Sequence, residues 1–259
     1  MAIRQKRIFG LIHSSEPKQS LAVAPDQNLA DANSMQTLRF ARVIVLAFVA
    51  CTALAAVSQT PRSAPRPAST PYVGDLSIFE SPDREKNLQI FRVMDLLHIT
   101  AGKTVADIGA GSGWFTVRAA RRVGPTGLVL AEDINPEATH AIEDRAKKEQ
   151  LANIRTLLGT PDDARLPPTA MIDAVLLLKV YHEIARPIPF MQRLKSSLKP
   201  GAHVGIIDRN GSGTGTDHGL PEAVVEKEMS QAGYRKVAKY DFTKKDGQDY
   251  FLIFEVKPN

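Results

Sequence analysis

A glycine-rich loop is the segment whose residue types and spacing point most directly to chemistry. It runs Asp107-Ile108-Gly109-Ala110-Gly111-Ser112-Gly113, after an apolar run and before a stretch with helical periodicity. Because glycine has no Cβ, such a loop lets the backbone turn tightly and approach a ligand at the carboxyl edge of a parallel sheet. The loop therefore predicts a cofactor site at that edge. Close packing of a strand on a helix, which needs the same glycines, is the alternative.

The spacing of the glycines in this loop distinguishes between the kinds of cofactor that it could bind. A dinucleotide site has the pattern G-x-G-x-x-G, but counted from Gly109 the third glycine position holds Trp114. A phosphate-binding P-loop has the pattern G-x-x-x-x-G-K-[ST], which is absent from the sequence. The pattern present is D-x-G-x-G-x-G, in which Asp107 stands two residues before the first glycine.

Further polar or glycine-containing segments follow the loop, each after another apolar run. Asp133 ends the second run, and the segments after it lie at residues 159–167, 172–183 and 194–203. Over about residues 76–257 this order closely resembles the class I S-adenosylmethionine-dependent methyltransferases, and in detail small exported bacterial predicted methyltransferases. Ala202 departs from the glycine that this family has at the turn into its fifth strand.

The resemblance implies S-adenosylmethionine as the cofactor and a set of residues that bind it. The Asp133 carboxylate would accept hydrogen bonds from the ribose hydroxyls, with Glu132 as the alternative. Asp162 or Asp163 would lie near the adenine, although Gly159-Thr160-Pro161-Asp162 replaces the family's usual Gly-Asp pair. The full set is Asp107, Gly109, Gly111, Gly113, Asp133, Ile134, Asp162, Asp163, Lys179 and Tyr181. For the last two residues, packing in the core is the alternative.

The apolar periodicity around these segments predicts the elements that position them. Short apolar runs alternate with amphipathic stretches, which argues for a parallel sheet covered by helices. The predicted fold is α/β, a doubly wound Rossmann-like sheet of seven mostly parallel strands with a C-terminal antiparallel hairpin. Strands are predicted at residues 104–108, 128–131, 154–158, 172–178, 203–207, 237–242 and 250–256, and helices at 115–123, 136–150, 188–198 and 221–232. A first helix begins at Ser81-Pro82, and its apolar face holds Leu88, Phe91, Met94 and Leu97.

The implied reaction places few demands on the protein. The methyl carbon of a sulfonium is already electrophilic, so its transfer is a single in-line displacement that needs positioning and exclusion of water. A base is needed only where the acceptor loses a proton, and His182 is the first candidate and His218 the second. Glu183 and Asp208 are candidate groups on the acceptor side. No metal site is predicted, because spacings such as H-E-x-x-H are absent and Cys51 is the only cysteine.

Two segments with different compositions begin the chain. Residues 1–34 are polar and are expected to be disordered or to precede a true start at Met35. Residues 35–58 combine a short basic lead with fifteen nearly unbroken apolar positions, which is typical of an export signal or, if uncleaved, a membrane anchor. The segment before Cys51 loosely resembles a lipid-attachment motif. The protein is therefore expected to be periplasmic or tethered through residues 38–58, and cytoplasmic if this segment is not used.

The basic charge of the sequence lies almost wholly before the predicted methyltransferase domain. Residues 59–75 are rich in proline and predict a linker, and residues 76–259 form the domain. Residues 1–71 carry eight Lys or Arg against three Asp or Glu, whereas the remainder carries 25 of each. The net charge of +5 therefore gives no support for a nucleic-acid partner. A small molecule, a lipid or a protein side chain would each fit as methyl acceptor. A non-catalytic exported binding protein and an NAD(P)-binding oxidoreductase are the alternative functions.

Overall fold

The computed structural model describes residues 65–258, and its seven strands belong to one sheet. They are Thr104–Ile108 (β1), Leu128–Asp133 (β2), Ile154–Leu158 (β3), Ile172–Leu178 (β4), Leu198–Asp208 (β5), Tyr234–Tyr240 (β6) and Tyr250–Val256 (β7). Their order across the sheet is β3-β2-β1-β4-β5-β7-β6. Strands β1 to β5 run parallel, whereas β7 pairs antiparallel with both β5 and β6. The predicted α/β fold, doubly wound with a C-terminal antiparallel hairpin, is confirmed.

Helices cover both faces of this sheet. They are Arg84–Leu88 (α1), Ile90–Leu96 (α2), Trp114–Val123 (α3), Pro136–Lys148 (α4), Pro187–Leu194 (α5) and Glu222–Gln231 (α6). Side chains of α1, α2 and α3 form one buried cluster with Val105 and Leu176. Side chains of α5 and α6 form a second cluster with Ala106 and Leu177. Because neighbouring residues of a strand point to opposite faces, the two clusters lie on opposite sides of β1 and β4.

The first helical segment differs from its prediction. It starts at Arg84 instead of Ser81-Pro82, and Gln89, with φ of 52°, separates it into α1 and α2. A left-handed residue changes the direction of the chain, so the two short helices do not share one continuous apolar face. Phe91, predicted to face the core, is therefore 50% exposed, whereas the other three predicted apolar positions are buried.

The proline-rich segment packs on the domain from residue 65 onward instead of forming a linker there. The guanidinium of Arg66 donates hydrogen bonds to the main-chain oxygens of Tyr181 and His182 (2.8 and 3.2 Å). Main-chain N–H groups of Arg66, Ser69 and Thr70 donate to the main-chain oxygens of Ala185, His182 and Gly215. This segment, residues 65–75, is called the strap below.

The predictions for residues 1–34 and 35–58, including the lipid-attachment motif, lie outside the described residues. Among the helices of residues 65–258, none has the length and apolar character that crossing a membrane requires.

Candidate cofactor site

A pocket lies at the carboxyl ends of β1, β2 and β4, where the loops after these strands meet. Doubly wound sheets bind their ligands at this edge because the strand order reverses there and leaves a crevice. The structure brings six residues of the predicted set together in the pocket lining. They are Asp107, Gly109, Gly111, Asp133, Ile134 and Lys179.

The glycine loop crosses this edge in a conformation that side chains do not tolerate. Gly109 has φ of +66°, and a Cβ built on it would lie 2.4 Å from Cγ2 of Val180. Gly113 has φ of +73° at the start of α3, and a Cβ there would lie 3.0 Å from Cγ1 of Ile142. Gly113 does not line the pocket. Its structural role is therefore the close approach of the loop to α4.

Asp133 is held in place by hydrogen bonds from the main chain of two loops, those after β1 and β2. Its Oδ2 atom accepts a hydrogen bond from the N–H of Gly111 (2.8 Å), and its Oδ1 atom accepts one from the N–H of Asn135 (2.9 Å). Each carboxylate oxygen has a second lone pair, so both can accept a further hydrogen bond from a ligand. This geometry suits the predicted contact with two ribose hydroxyls.

Acidic side chains dominate the charged part of the pocket lining. Burial raises the pKa of Asp107 to about 7, and the hydrogen bond that it accepts from Thr116 Oγ1 (2.6 Å) opposes this rise. Burial and the Asp133 charge raise the pKa of Glu132 to about 8. Burial also raises the pKa of Glu183 to about 7. With Asp133, four carboxyl groups line the pocket beside the cationic side chains of Arg84 and Lys179. Because three of the carboxyl groups have pKa values of about 7 to 8, the lining gains negative charge over this pH range and then favours a positively charged ligand.

Four residues of the predicted set lie outside the pocket lining, and three of them have other contacts. Asp162 pairs with the guanidinium of Arg186, and the Asp163 carboxylate accepts a hydrogen bond from the N–H of Arg165 (2.8 Å). Tyr181 is buried in the core beside α5 and α6. Its predicted alternative, packing in the core, thus describes its position in the structure. Gly113, described above, is the fourth.

Lys179 lines the pocket in a left-handed conformation, with φ of 61°. Burial lowers the pKa of its ammonium group, and the Arg84 charge contributes to this shift.

Sequence reasoning missed the part of the lining that comes from the strap and from the loop after β3. Tyr72 of the strap lines the pocket, and its ring meets that of Phe79 edge to face at 5.6 Å. Thr160 and Pro161 line it where Asp162 or Asp163 was expected. Trp114, which stands where a dinucleotide loop has its third glycine, also lines the pocket. Tyr72, the single aromatic residue of this proline-rich stretch, was the available signal for the strap.

The two predicted histidines lie together beside this pocket. Their rings meet edge to face at 5.5 Å. His182 is 2% exposed, and its Nδ1 atom lies 2.8 Å from Oδ2 of Asp208. Glu183 lines the pocket and lies between the two histidines, 3.8 Å from Nε2 of His182 and 3.6 Å from Nδ1 of His218. Neither histidine lines the pocket itself.

Comparison with known proteins identifies the family. The sequence model of a protein family described as 'Methyltransferase domain' matches residues 99–252, which is more than half of the chain. The chain belongs to this methyltransferase family. The methyltransferase is 30% identical over 111 residues to the arsenite methyltransferase of Halobacterium salinarum, a match that covers 41% of this chain and 27% of that protein. It is 27% identical over 116 residues to a ubiquinone/menaquinone biosynthesis C-methyltransferase of Methylococcus capsulatus, covering 44% and 46%.

The methyltransferase therefore spans less than half of the length of these two curated relatives. Among solved structures, an S-adenosylmethionine-dependent methyltransferase from Aquifex aeolicus superimposes with a TM-score of 0.62 at 23% identity. The superposition covers 70% of this chain and 98% of the other chain. At this sequence identity it is evidence for the fold alone. The predicted family, the class I fold and S-adenosylmethionine as the family's cofactor are confirmed.

Proposed function

We propose that this methyltransferase moves the methyl group of S-adenosylmethionine to an acceptor by direct in-line displacement. The observation that carries the proposal is the pocket of four carboxyl groups at the sheet edge, with Asp133 fixed by two main-chain hydrogen bonds. The cofactor carries a sulfonium charge, an ammonium charge and one carboxylate, and its net positive charge is compatible with an acidic lining. Asp133 would orient the nucleoside through its ribose hydroxyls, and the other carboxyl groups of the lining would lie near the charged end of the cofactor.

The same observation disfavours the oxidoreductase alternative. A dinucleotide-binding loop offers its free N–H groups to the pyrophosphate. Here the N–H of Gly111 already donates to Asp133 (2.8 Å), and that of Gly109 lies 3.4 Å from Oε2 of Glu132. Two phosphate charges at this loop would therefore find these N–H groups occupied and would lie next to the Asp133 carboxylate, which repels them.

Around the reacting atoms, the protein mainly positions groups and excludes water. The cofactor supplies an electrophilic methyl group, whose bond to sulfur breaks as the bond to the acceptor forms, leaving a neutral thioether. The rings of Tyr72, Phe79 and Trp114 would keep water from the pocket. Where the acceptor loses a proton, His182 and His218 stay the predicted bases. Glu183 is the carboxylate that lies between them and the pocket.

The acceptor proposed here is an apolar small molecule or lipid. Three apolar residues at the pocket, Tyr72, Val73 and Ile134, are each more than one third exposed. Such a rim favours an apolar ligand over a charged one. The relation to C-methyltransferases of ubiquinone/menaquinone biosynthesis supports this class of acceptor. Export or tethering through residues 35–58 is proposed alongside, and fractionation of the tagged chain with mass measurement of its amino terminus tests it.

Calorimetry on the full chain tests the cofactor proposal. S-adenosylmethionine should bind with one site per chain, and NADH should give no heat of binding. Binding of NADH without binding of S-adenosylmethionine would establish the oxidoreductase instead. A single-turnover reaction with methyl-labelled cofactor and quinone-like acceptors separates an enzyme from a binding protein. Cofactor binding without label transfer to a quinone, a phospholipid extract or protein would support the non-catalytic alternative.

A further inference from the structure

A cluster of two imidazoles and one carboxylate lies beside the cofactor pocket. Its members are His182 and Glu183, which follow β4, and His218, which lies 35 positions further along the chain in the connection between β5 and α6. One potential ligand atom of each lies within 4.8 Å of the other two. Glu183 Oε1 is 3.8 Å from Nε2 of His182 and 3.6 Å from Nδ1 of His218. Three metal-ligating side chains thus converge on one point.

The contacts of His182 leave one ring nitrogen available to a ligand. Its Nδ1 atom lies 2.9 and 2.8 Å from the two oxygens of Asp208, which assigns the proton to Nδ1. The Nε2 atom then carries a lone pair. It is buried and has no hydrogen-bond partner among the described residues, although it points toward the Glu183 carboxylate. A buried acceptor without a partner is unfavourable, so this atom indicates a missing ligand.

We propose that Nε2 of His182, Nδ1 of His218 and the Glu183 carboxylate bind one divalent transition-metal ion. Two imidazoles and a carboxylate are the donor set of many zinc and iron sites, whereas magnesium and calcium prefer oxygen ligands. With bonds of about 2.0–2.1 Å, tetrahedral ligand atoms lie about 3.4 Å apart. The separations of 3.6 and 3.8 Å from Glu183 are close to this value, and the ligand atoms of the two imidazoles, which lie within 4.8 Å of one another, would move together on binding.

The surroundings of the cluster fit this assignment. The hydrogen bond from Nδ1 of His182 to Asp208 is the carboxylate–histidine pair that orients metal-binding imidazoles and raises their basicity. Three cations lie nearby. Arg66 pairs with Glu228 and donates to main-chain oxygens, and Arg209 donates to the main-chain oxygen of His218, whereas the charge of Lys179 acts on His218 and opposes a bound cation. The His218 side chain is 38% exposed, which gives an ion a route from solvent.

A metal at this cluster would lie at the wall of the cofactor pocket, because Glu183 belongs to both. Three protein ligands leave a position to which an oxygen of a substrate can bind. That consequence rests on the proposed methyl transfer, whereas the metal site itself does not. Coordination would use the lone pair of His182 Nε2, so the metal-ligand role and the role of a general base exclude each other. Metal titration therefore decides between them.

Titration of the metal-free full chain, purified without a histidine tag, tests the site. Co²⁺ is added while its visible d–d absorption is recorded, and Zn²⁺ affinity is measured by competition with a chromophoric chelator. We expect one ion per chain. His218→Ala removes an accessible ligand, and His182→Asn removes Nε2 while its amide can still donate to Asp208. Each should weaken metal binding at least about 100-fold, more than the effect of losing an outer partner.

His140→Ala is the matched control. His140 lies on α4 with carboxylate oxygens of Glu143 and Asp144 at 3.9 and 3.6 Å, but its side chain is 73% exposed. This variant should bind the metal as the wild type does. Failure of the wild type to bind more tightly than His218→Ala, or an equal loss in His140→Ala, would overturn the site. S-adenosylmethionine binding, measured separately on each variant, verifies folding and keeps a failed metal site distinct from a failed cofactor proposal.

Discussion

Replacement of Asp133 is the sharpest test of how the pocket holds a nucleoside. The carboxylate accepts hydrogen bonds from the N–H groups of Gly111 and Asn135 and keeps a lone pair on each oxygen for a ribose hydroxyl. A hydrogen bond to a charged group contributes about 1.5–3 kcal/mol. Loss of two such bonds in Asp133→Ala should therefore weaken S-adenosylmethionine binding by about 3–6 kcal/mol, or roughly 150- to 25,000-fold in Kd.

Asp133→Asn should have an intermediate cofactor affinity, because the amide keeps one oxygen acceptor and loses the charge. We expect a 10- to 100-fold loss, about 1.4–2.7 kcal/mol, between wild type and the alanine variant. Calorimetry gives the Kd of each protein. In urea unfolding, the loss of the contacts with the loop should lower the free energy of unfolding by about 1–2 kcal/mol. Asp144→Ala, on the exposed face of α4, is the control and should change neither quantity. If Asp133→Ala binds the cofactor within threefold of wild type, the ribose contact belongs elsewhere, and Glu132 is then the candidate.

Three further outcomes follow from the pocket geometry. Gly109→Ala places a Cβ 2.4 Å from Val180 at φ of +66°, so it should lower the free energy of unfolding by about 1–3 kcal/mol and abolish detectable cofactor binding in calorimetry. Because Glu132 and Asp107 ionise near pH 8 and 7, affinity for the cationic cofactor should rise from pH 6 to 8.5, and Glu132→Gln should flatten that rise. Tyr72→Ala should increase water access and lower kcat with the fold unchanged by circular dichroism. A pH-independent Kd would contradict the prediction for Glu132 and Asp107, and wild-type turnover in Tyr72→Ala would contradict the prediction for Tyr72.

Local sequence patterns predicted the parts of the site that lie on the sheet. The parallel strands β1 and β4 are buried on both faces, so their apolar runs are visible without tertiary information. The strand ends then place Asp107 and Asp133 at one edge, and the glycine spelling distinguishes this loop from a dinucleotide loop. These inferences succeed because each depends on residues near one another in the chain.

Features that depend on distant contacts were not predictable in this way. The strap packs on the domain because Arg66 donates hydrogen bonds to main-chain oxygens after β4. Its proline-rich sequence does not indicate this contact. The left-handed Gln89 interrupts a stretch whose apolar spacing fits one helix. His218 joins His182 only through the fold, since the offset of 36 positions matches no metal motif. The expectation of no metal site rested on such local motifs, so it does not bear on ligands brought together by the fold.

Glu183 is the residue at which the cofactor pocket and the histidine cluster meet, and this limits what its replacement can show. Removing its carboxylate would take a negative charge from the pocket lining and a ligand atom from the cluster at once. A loss of activity in Glu183→Gln would therefore fit a cofactor contact, a metal ligand or a proton acceptor equally well. His218→Ala changes the cluster alone, because His218 does not line the pocket. If that variant loses turnover while its cofactor Kd is unchanged, the cluster acts on the acceptor and not on cofactor binding.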